Sequence, residues 1–319
     1  MNDSNSINRS NPFFSYPATF SIPLGLFGLM LNLLLLFVVV VSKRLKEPTY
    51  ILIGSVIIND CLSTLQLVIV SLTPLILQNF NFQGAEIFCK ILFYTFYSTY
   101  NTSVLSLTAI SVYRRKILIQ TASILTKKQQ YQYVTKITVA IWIFGSLVSI
   151  PSLFIVSNAR PIMASCDITY PSNFPHFTPI YYLSMTFITY IIPIIIITVN
   201  YTRIVRQILS KVKPHISIET RKEIEEQRRN EVIKMLIIVT GIFMFFAWPF
   251  LICLDVLALH GKTFYILSRE NYSLYLICFF TLPINVLVSI FNPVIYILFD
   301  KSIRTEVKKK FMQIVCPSS

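Results

Sequence analysis

Of the 319 residues, 54% are hydrophobic, 14% aromatic and only 13% charged. A soluble domain carries about 25% charged residues, so the composition argues against a soluble enzyme. The net charge of +14 rests on too few charges to coat a nucleic-acid-binding surface, and six cysteines do not make a disulfide scaffold.

Residues 1–19 are polar and rich in Asn and Ser, with N-glycosylation sequons at Asn2 and Asn8. They lack the basic region and short apolar core of a cleaved signal peptide, so the first apolar segment is expected to act as a signal anchor. About 20 apolar residues cross a bilayer as a helix. Residues 20–41 carry no charge, and residues 51–77 carry only Asp60. Residues 91–112, 137–156, 180–202, 235–254 and 271–299 are uncharged. Backbone in lipid must satisfy its own hydrogen bonds, so each of these seven segments is predicted to be a helix. The alternating segments of about ten residues that mark a membrane barrel are absent. Residues 219–234 read as helical extension into the longest loop. Residues 300–319 form a basic amphipathic stretch and tail. The predicted fold is an all-α bundle of seven transmembrane helices over 20–299, followed by a short amphipathic eighth helix.

If the spans alternate, 23 of the 28 Lys and Arg residues fall on one side. Only Arg9, Lys90, Arg160, Lys262 and Arg269 fall on the other. Positive loops stay cytoplasmic, so the N-terminus is expected outside and the C-terminus inside. The basic excess then reports topology and anionic lipid contact, and no nucleic-acid partner is expected.

Asp60 is the acid inside a span, about 14 Å from its helix start at 1.5 Å per residue. An intramembrane carboxylate is costly and marks a functional site by default. Asn32, Ser103, Ser289 and Asn292 lie at similar depth on other spans. One carboxylate with hydroxyl and amide oxygens suits a small cation such as Na⁺; an interhelical hydrogen-bond knot is the alternative. In the third span, Phe96, Ser103 and Arg114 project within roughly 20° of one another at 100° per residue. Phe93 and Tyr100 extend this face outward, either as core packing or as the wall of a site. Cys89 and Cys166 both lie on the outer, oxidising side, so a disulfide is expected. Cys61, Cys253 and Cys278 read as apolar packing. Cys316 follows a basic amphipathic stretch and suits palmitoylation or is a plain tail cysteine. Pro151, Pro193, Pro249 and Pro293 allow kinks, as hinges or as static bends. No nucleophile or metal constellation stands out, and no enzymatic activity is expected.

Taken together, these residues resemble the rhodopsin-like, or class A, G-protein-coupled receptors. The motifs are Gly28-x-x-x-Asn32, Asn59-Asp60-Cys61-Leu62, Cys89 placed 25 residues before Arg114, Trp142, Pro193 with Tyr201, Trp248-Pro249-Phe250 and Asn292-Pro293-Val294-Ile295-Tyr296. The match spans nearly the whole chain. The resemblance implies a plasma-membrane receptor that binds an extracellular ligand and activates a heterotrimeric G protein as helix six moves. It implies a sodium site at Asp60, Ser103, Ser289 and Asn292. It places activation switches at Arg114, Tyr201, Trp248, Pro249, Asn292, Pro293 and Tyr296.

Three positions depart from the family. Tyr113 stands where an acid usually precedes Arg114. Arg229 holds the place of the inner acid of helix six, with Glu231 two residues on. Ala247 holds the place of the usual Trp, which is displaced to Trp248. Phe96 in place of the aminergic Asp argues against a biogenic amine, and Val286 in place of a Lys argues against retinal. Phe93, Phe96, Tyr97, Tyr100 and Asp255 are the expected ligand contacts. They suit a peptide first and a small chemosensory molecule second. A non-signalling receptor is the alternative, and a seven-helix transporter a more distant one.

Overall fold

The computed structural model describes residues 12–119, 126–158, 165–211 and 220–315. Helix one is Pro12–Val41, helix two Pro48–Gln78, helix three Phe82–Ile119 and helix four Lys127–Ser149. Helix five runs through residues 177–211 as one rod whose middle, Phe187–Ile191, is a π-helical turn. Helix six is Thr220–Leu259 and helix seven Tyr272–Phe299. Helix eight, Lys301–Val315, lies against helix one and the turn at Lys43–Leu45.

Local chemistry sets the ends. Pro48 opens helix two, where its missing N–H costs nothing. Thr126 and Gln129 form a reciprocal capping box on helix four. Asn271 accepts from the Leu274 N–H at the start of helix seven. Asp300 accepts from the N–H groups of Ser302 and Ile303, so helix eight starts anew where helix seven stops.

Among the described residues, six helices are long and apolar enough to cross a membrane. Helix three is equally long but carries a row of hydroxyls and amides. Thr99, Asn101, Thr102, Ser103, Ser106 and Ser111 are all buried. The reason is its position: helix three packs against helices two, four, five and six. Its surroundings are protein, and polar groups there find interhelical partners. Asn101 donates to Ser149 of helix four at 3.0 Å, and Ser98 and Ser146 share a hydrogen bond at 3.0 Å. The remaining contacts close the ring, since helix seven touches helices one, two and six, and helix five touches helix six. Phe27, Leu33, Phe37, Ile143, Leu147 and Ile195 form part of the exposed apolar outer surface, as a lipid-facing bundle requires.

Close helix approach has a cause at Gly145. A Cβ there would sit 2.5 Å from the Thr102 hydroxyl and 3.1 Å from its backbone nitrogen. Glycine thus lets helices three and four meet backbone to backbone.

The outer end carries a two-stranded antiparallel hairpin, β1 Val156–Asn158 and β2 Cys166–Ile168. The Cys89–Cys166 disulfide anchors it to helix three. Glu86 accepts from Ser157 and from the Asn158 N–H, and pairs with Lys90. On the other edge, Asp167 accepts from the N–H groups of Phe264 and Tyr265 in the short helix Phe264–Glu270. Burial raises the Asp167 carboxyl above its ordinary range, and the three backbone N–H donors only partly counter this. The Tyr170 hydroxyl donates to the carbonyls of Leu257 and Lys262. The hairpin is thereby fastened to helix three on one side and to the outer end of helix six on the other.

Candidate functional site

Beneath the hairpin lies a cavity of about 160 Å³. Helices two, three, six and seven supply most of its wall, with Leu67, Phe93, Phe96, Phe250, Leu254 and Phe279 prominent. Phe96 meets Phe250 edge-on at 5.6 Å between ring centroids, joining helices three and six. Both disulfides reach the wall through Cys166 and Cys278.

The structure divides the five expected ligand contacts. Phe93 and Phe96 line the cavity. Tyr97 is fully buried behind them, sharing a hydrogen bond at 3.0 Å with Tyr182 of helix five. Tyr100 is buried one turn deeper and stacks on Phe243. Asp255 lies on helix six away from the wall, hydrogen-bonded to Thr186. Helical geometry explains the split. Phe93 and Phe96 project about 60° apart, Tyr97 lies on the helix-five flank of Phe93 about 100° from Phe96, and Tyr100 projects within about 20° of Phe93 but about 10 Å deeper along the helix.

The polar middle converges. Asn292 of helix seven donates to Asp60 of helix two at 2.9 Å, and Ser289 also hydrogen-bonds Asp60. Asn32 of helix one donates to the Ser289 carbonyl at 2.8 Å. Ser103, one helix over, is buried. The side-chain oxygens of Asn32, Asn285 and Asn292 are buried without a hydrogen-bond partner. Asp60 with the adjoining Asn292 and Ser289 oxygens is an oxygen-only donor set of the kind a hard cation takes, so these residues fit Na⁺. Among the described residues no cluster of three His, Cys, Asp or Glu side chains could hold another metal.

At the inner end, Tyr201 of helix five and Thr240 of helix six share a hydrogen bond at 3.4 Å. Arg114 is partly buried and its Nε lacks a partner. The carboxylates whose field reaches it are Asp300 and Glu47. Asp300 is buried and accepts from the Tyr50 hydroxyl at 3.1 Å. Arg115 donates instead to Asn200, which donates onward to Ser111. Tyr113, in the usual acid's place, is buried, and Glu231 is exposed. Tyr296 is fully buried with its hydroxyl unpartnered. Pro249 and Pro293 both lie within their helices.

Trp248 does not join this interior. It is 42% exposed on the outer surface, while Ala247 is fully buried. A shift of one residue turns a helical side chain by about 100°, so the indole leaves the core face and Phe243 fills beside Tyr100.

One functional feature escaped sequence reasoning. Cys253 and Cys278, expected to be packing residues, are bonded to each other with 5.7 Å between their Cα atoms. They tie helix six to helix seven at the cavity wall. Their presence in adjacent spans was the available signal, but nothing in the sequence shows that both face the same side. Asn2, Asn8 and Cys316 lie outside the described residues.

The sequence pattern of the 7 transmembrane receptor (rhodopsin family) matches residues 31–296. The chain belongs to this family. It is therefore a multi-pass membrane protein of a receptor family, not an enzyme. Bovine (Bos taurus) prokineticin receptor 2 is 23% identical over 263 residues, covering 78% of this chain and 66% of the relative. A purinoceptor of Xenopus laevis is 26% identical over 239 residues, covering 74% and 42%. The tachykinin-like peptides receptor 99D of Drosophila melanogaster is 24% identical over 230 residues, covering 69% and 43%. The chain thus spans two thirds or less of these relatives' lengths.

Proposed function

We propose that this chain is a plasma-membrane receptor, N-terminus outside, that takes an extracellular ligand into the outer cavity and activates a heterotrimeric G protein through movement of helix six. The supporting observation is the Phe96–Phe250 contact at the cavity wall, one residue from Pro249. A ligand pressing on Phe250 or Leu254 acts directly on helix six. Pro249 removes a backbone hydrogen bond there and provides a pivot. Its inner half then parts from helix five at Tyr201 and Thr240 and exposes Arg114 to the G protein. Pro293 and Tyr296 give helix seven the same freedom. Asp60, Ser103, Ser289 and Asn292 would hold Na⁺, whose charge would stabilise the resting packing around Asp60. Glycosylation at Asn2 and Asn8 and palmitoylation at Cys316 fit the same topology.

Two ligand classes stay in view. Similarity to a tachykinin-like peptides receptor supports a peptide. The apolar cavity wall supports a small molecule. The test is a G-protein activation assay in cells, with and without tissue extract. Arg114→Ala abolishes coupling while surface expression persists; undiminished coupling removes Arg114 from the mechanism. Because no acid adjoins Arg114, basal signalling exceeds that of an empty-vector control. A chain that never recruits a G protein is instead a non-signalling receptor, the reading that Tyr113 and Ala247 favour.

A further inference from the structure

Charge accounting at the outer end narrows the ligand. Among the described residues no charged side chain lines the cavity. The described charged groups of the outer end have partners, except that one carboxylate oxygen of Asp255, next to the lining Leu254 but off the wall, is buried without one. Lys262 pairs with Glu270, and Lys90 with Glu86. Asp167 is held by the backbone N–H groups of Ile168, Phe264 and Tyr265. Arg269 lies over the Tyr265 ring. Within the wall, the Ser71 and Thr73 hydroxyls donate to their own helix, at the carbonyls of Leu67 and Ile69. The remaining polar side chains of the wall are the hydroxyls of Ser21, Ser165 and Tyr275. Phe93, Phe96, Phe250, Phe264 and Phe279 supply most of the contact surface.

A charge moved into such a site loses its hydration and gains no counter-charge, which is strongly unfavourable. An apolar molecule loses nothing and gains dispersion contacts and edge-on aromatic contacts. Size points the same way: a dry apolar cavity of about 150 Å³ takes up a molecule as small as benzene, and this one measures about 160 Å³.

We propose that the outer cavity takes an uncharged, predominantly apolar molecule, or an uncharged apolar portion of one, on the scale of an aromatic ring. Ammonium, carboxylate and phosphate groups are excluded from it. This rests on the reading of the cavity as the receptor's ligand site and adds the chemical class.

The test uses the full chain purified into lipid nanodiscs and three fluorinated probes of similar shape: 1-ethyl-4-(trifluoromethyl)benzene, 4-(trifluoromethyl)benzoate and 4-(trifluoromethyl)benzylamine. Fluorine NMR reads saturable binding against empty nanodiscs. The neutral probe binds, and either charged probe binds about tenfold more weakly or worse. Leu92→Trp and, separately, Leu254→Trp fill the cavity and remove neutral-probe binding; thermal unfolding shows which of the two variants is folded. Equal or tighter binding of a charged probe overturns the proposal. So does binding of none of the three, or unchanged neutral binding in a folded filled variant. The readout needs no G protein. Neutral-probe binding in a chain that never activates one therefore refutes the signalling reading and leaves the ligand class standing.

Discussion

Glu86 shows how one residue fastens a loop. Partial burial on its own would raise its carboxyl, but the donors outweigh it. Ser157, the Asn158 N–H and Lys90 hold the group below the ordinary glutamate range. A depressed carboxyl stabilises the fold above its unfolded pKa, and that contribution disappears as pH falls through the folded value. The thermal stability of the purified chain is therefore expected to fall on acidification from about pH 7 to below the glutamate range near pH 4. Glu86→Gln lowers stability at neutral pH and flattens this part of the profile. An unchanged profile in the variant shows that Glu86 does not fasten β1. The sequence offered Asp60, Asn32, Ser103, Ser289 and Asn292 by depth alone. The donor–acceptor pairs, Asn292 to Asp60 and Asn32 to the Ser289 carbonyl, depend on helix rotations that depth does not specify.

Pairs of helices carry the next level. Helices three and four meet at Gly145, and Gly145→Ala drives a Cβ into Thr102. Overpacking of this kind costs about 1–3 kcal/mol. A lowered unfolding midpoint is expected, partly restored when Thr102→Ala removes the hydroxyl but not the backbone contact. Helices six and seven meet at Cys253 and Cys278. Loss of that bond through the double change Cys253→Ala with Cys278→Ala is expected to cost about 2–4 kcal/mol. Peptide mapping under non-reducing conditions reports the bond directly; two free thiols there refute the tie. In the signalling proposed above, the tie would make the outer ends of helices six and seven move together and leave Pro249 as the place where helix six bends. Trp248 marks a limit of motif reading at this scale. It stands one residue from the family's usual position, and that residue turns it out of the bundle.

The distribution of charge predicts one orientation for the whole molecule if the spans alternate. With 23 of 28 Lys and Arg on one face, the positive-inside rule predicts that an epitope placed before residue 12 is reached by antibody on intact cells. An epitope after residue 315 requires permeabilisation. The reverse labelling refutes the orientation. Low charge content and the positions of the apolar runs were enough to specify a bundle of membrane-spanning helices, because lipid imposes length and self-satisfied backbone on every span. Even helix three, polar enough to miss the composition of a membrane span, was marked by its uncharged stretch. The tertiary structure alone decided which side of each helix faces inward. That choice buries Ala247 and exposes Trp248, bonds Cys253 to Cys278, and separates Phe93 and Phe96 at the cavity from Tyr97 and Tyr100 behind it. The physical reason is that lipid and protein interior are almost equally apolar. Hydrophobicity therefore distinguishes membrane from water along the chain, but it does not distinguish the two sides of a helix that has apolar surroundings on both.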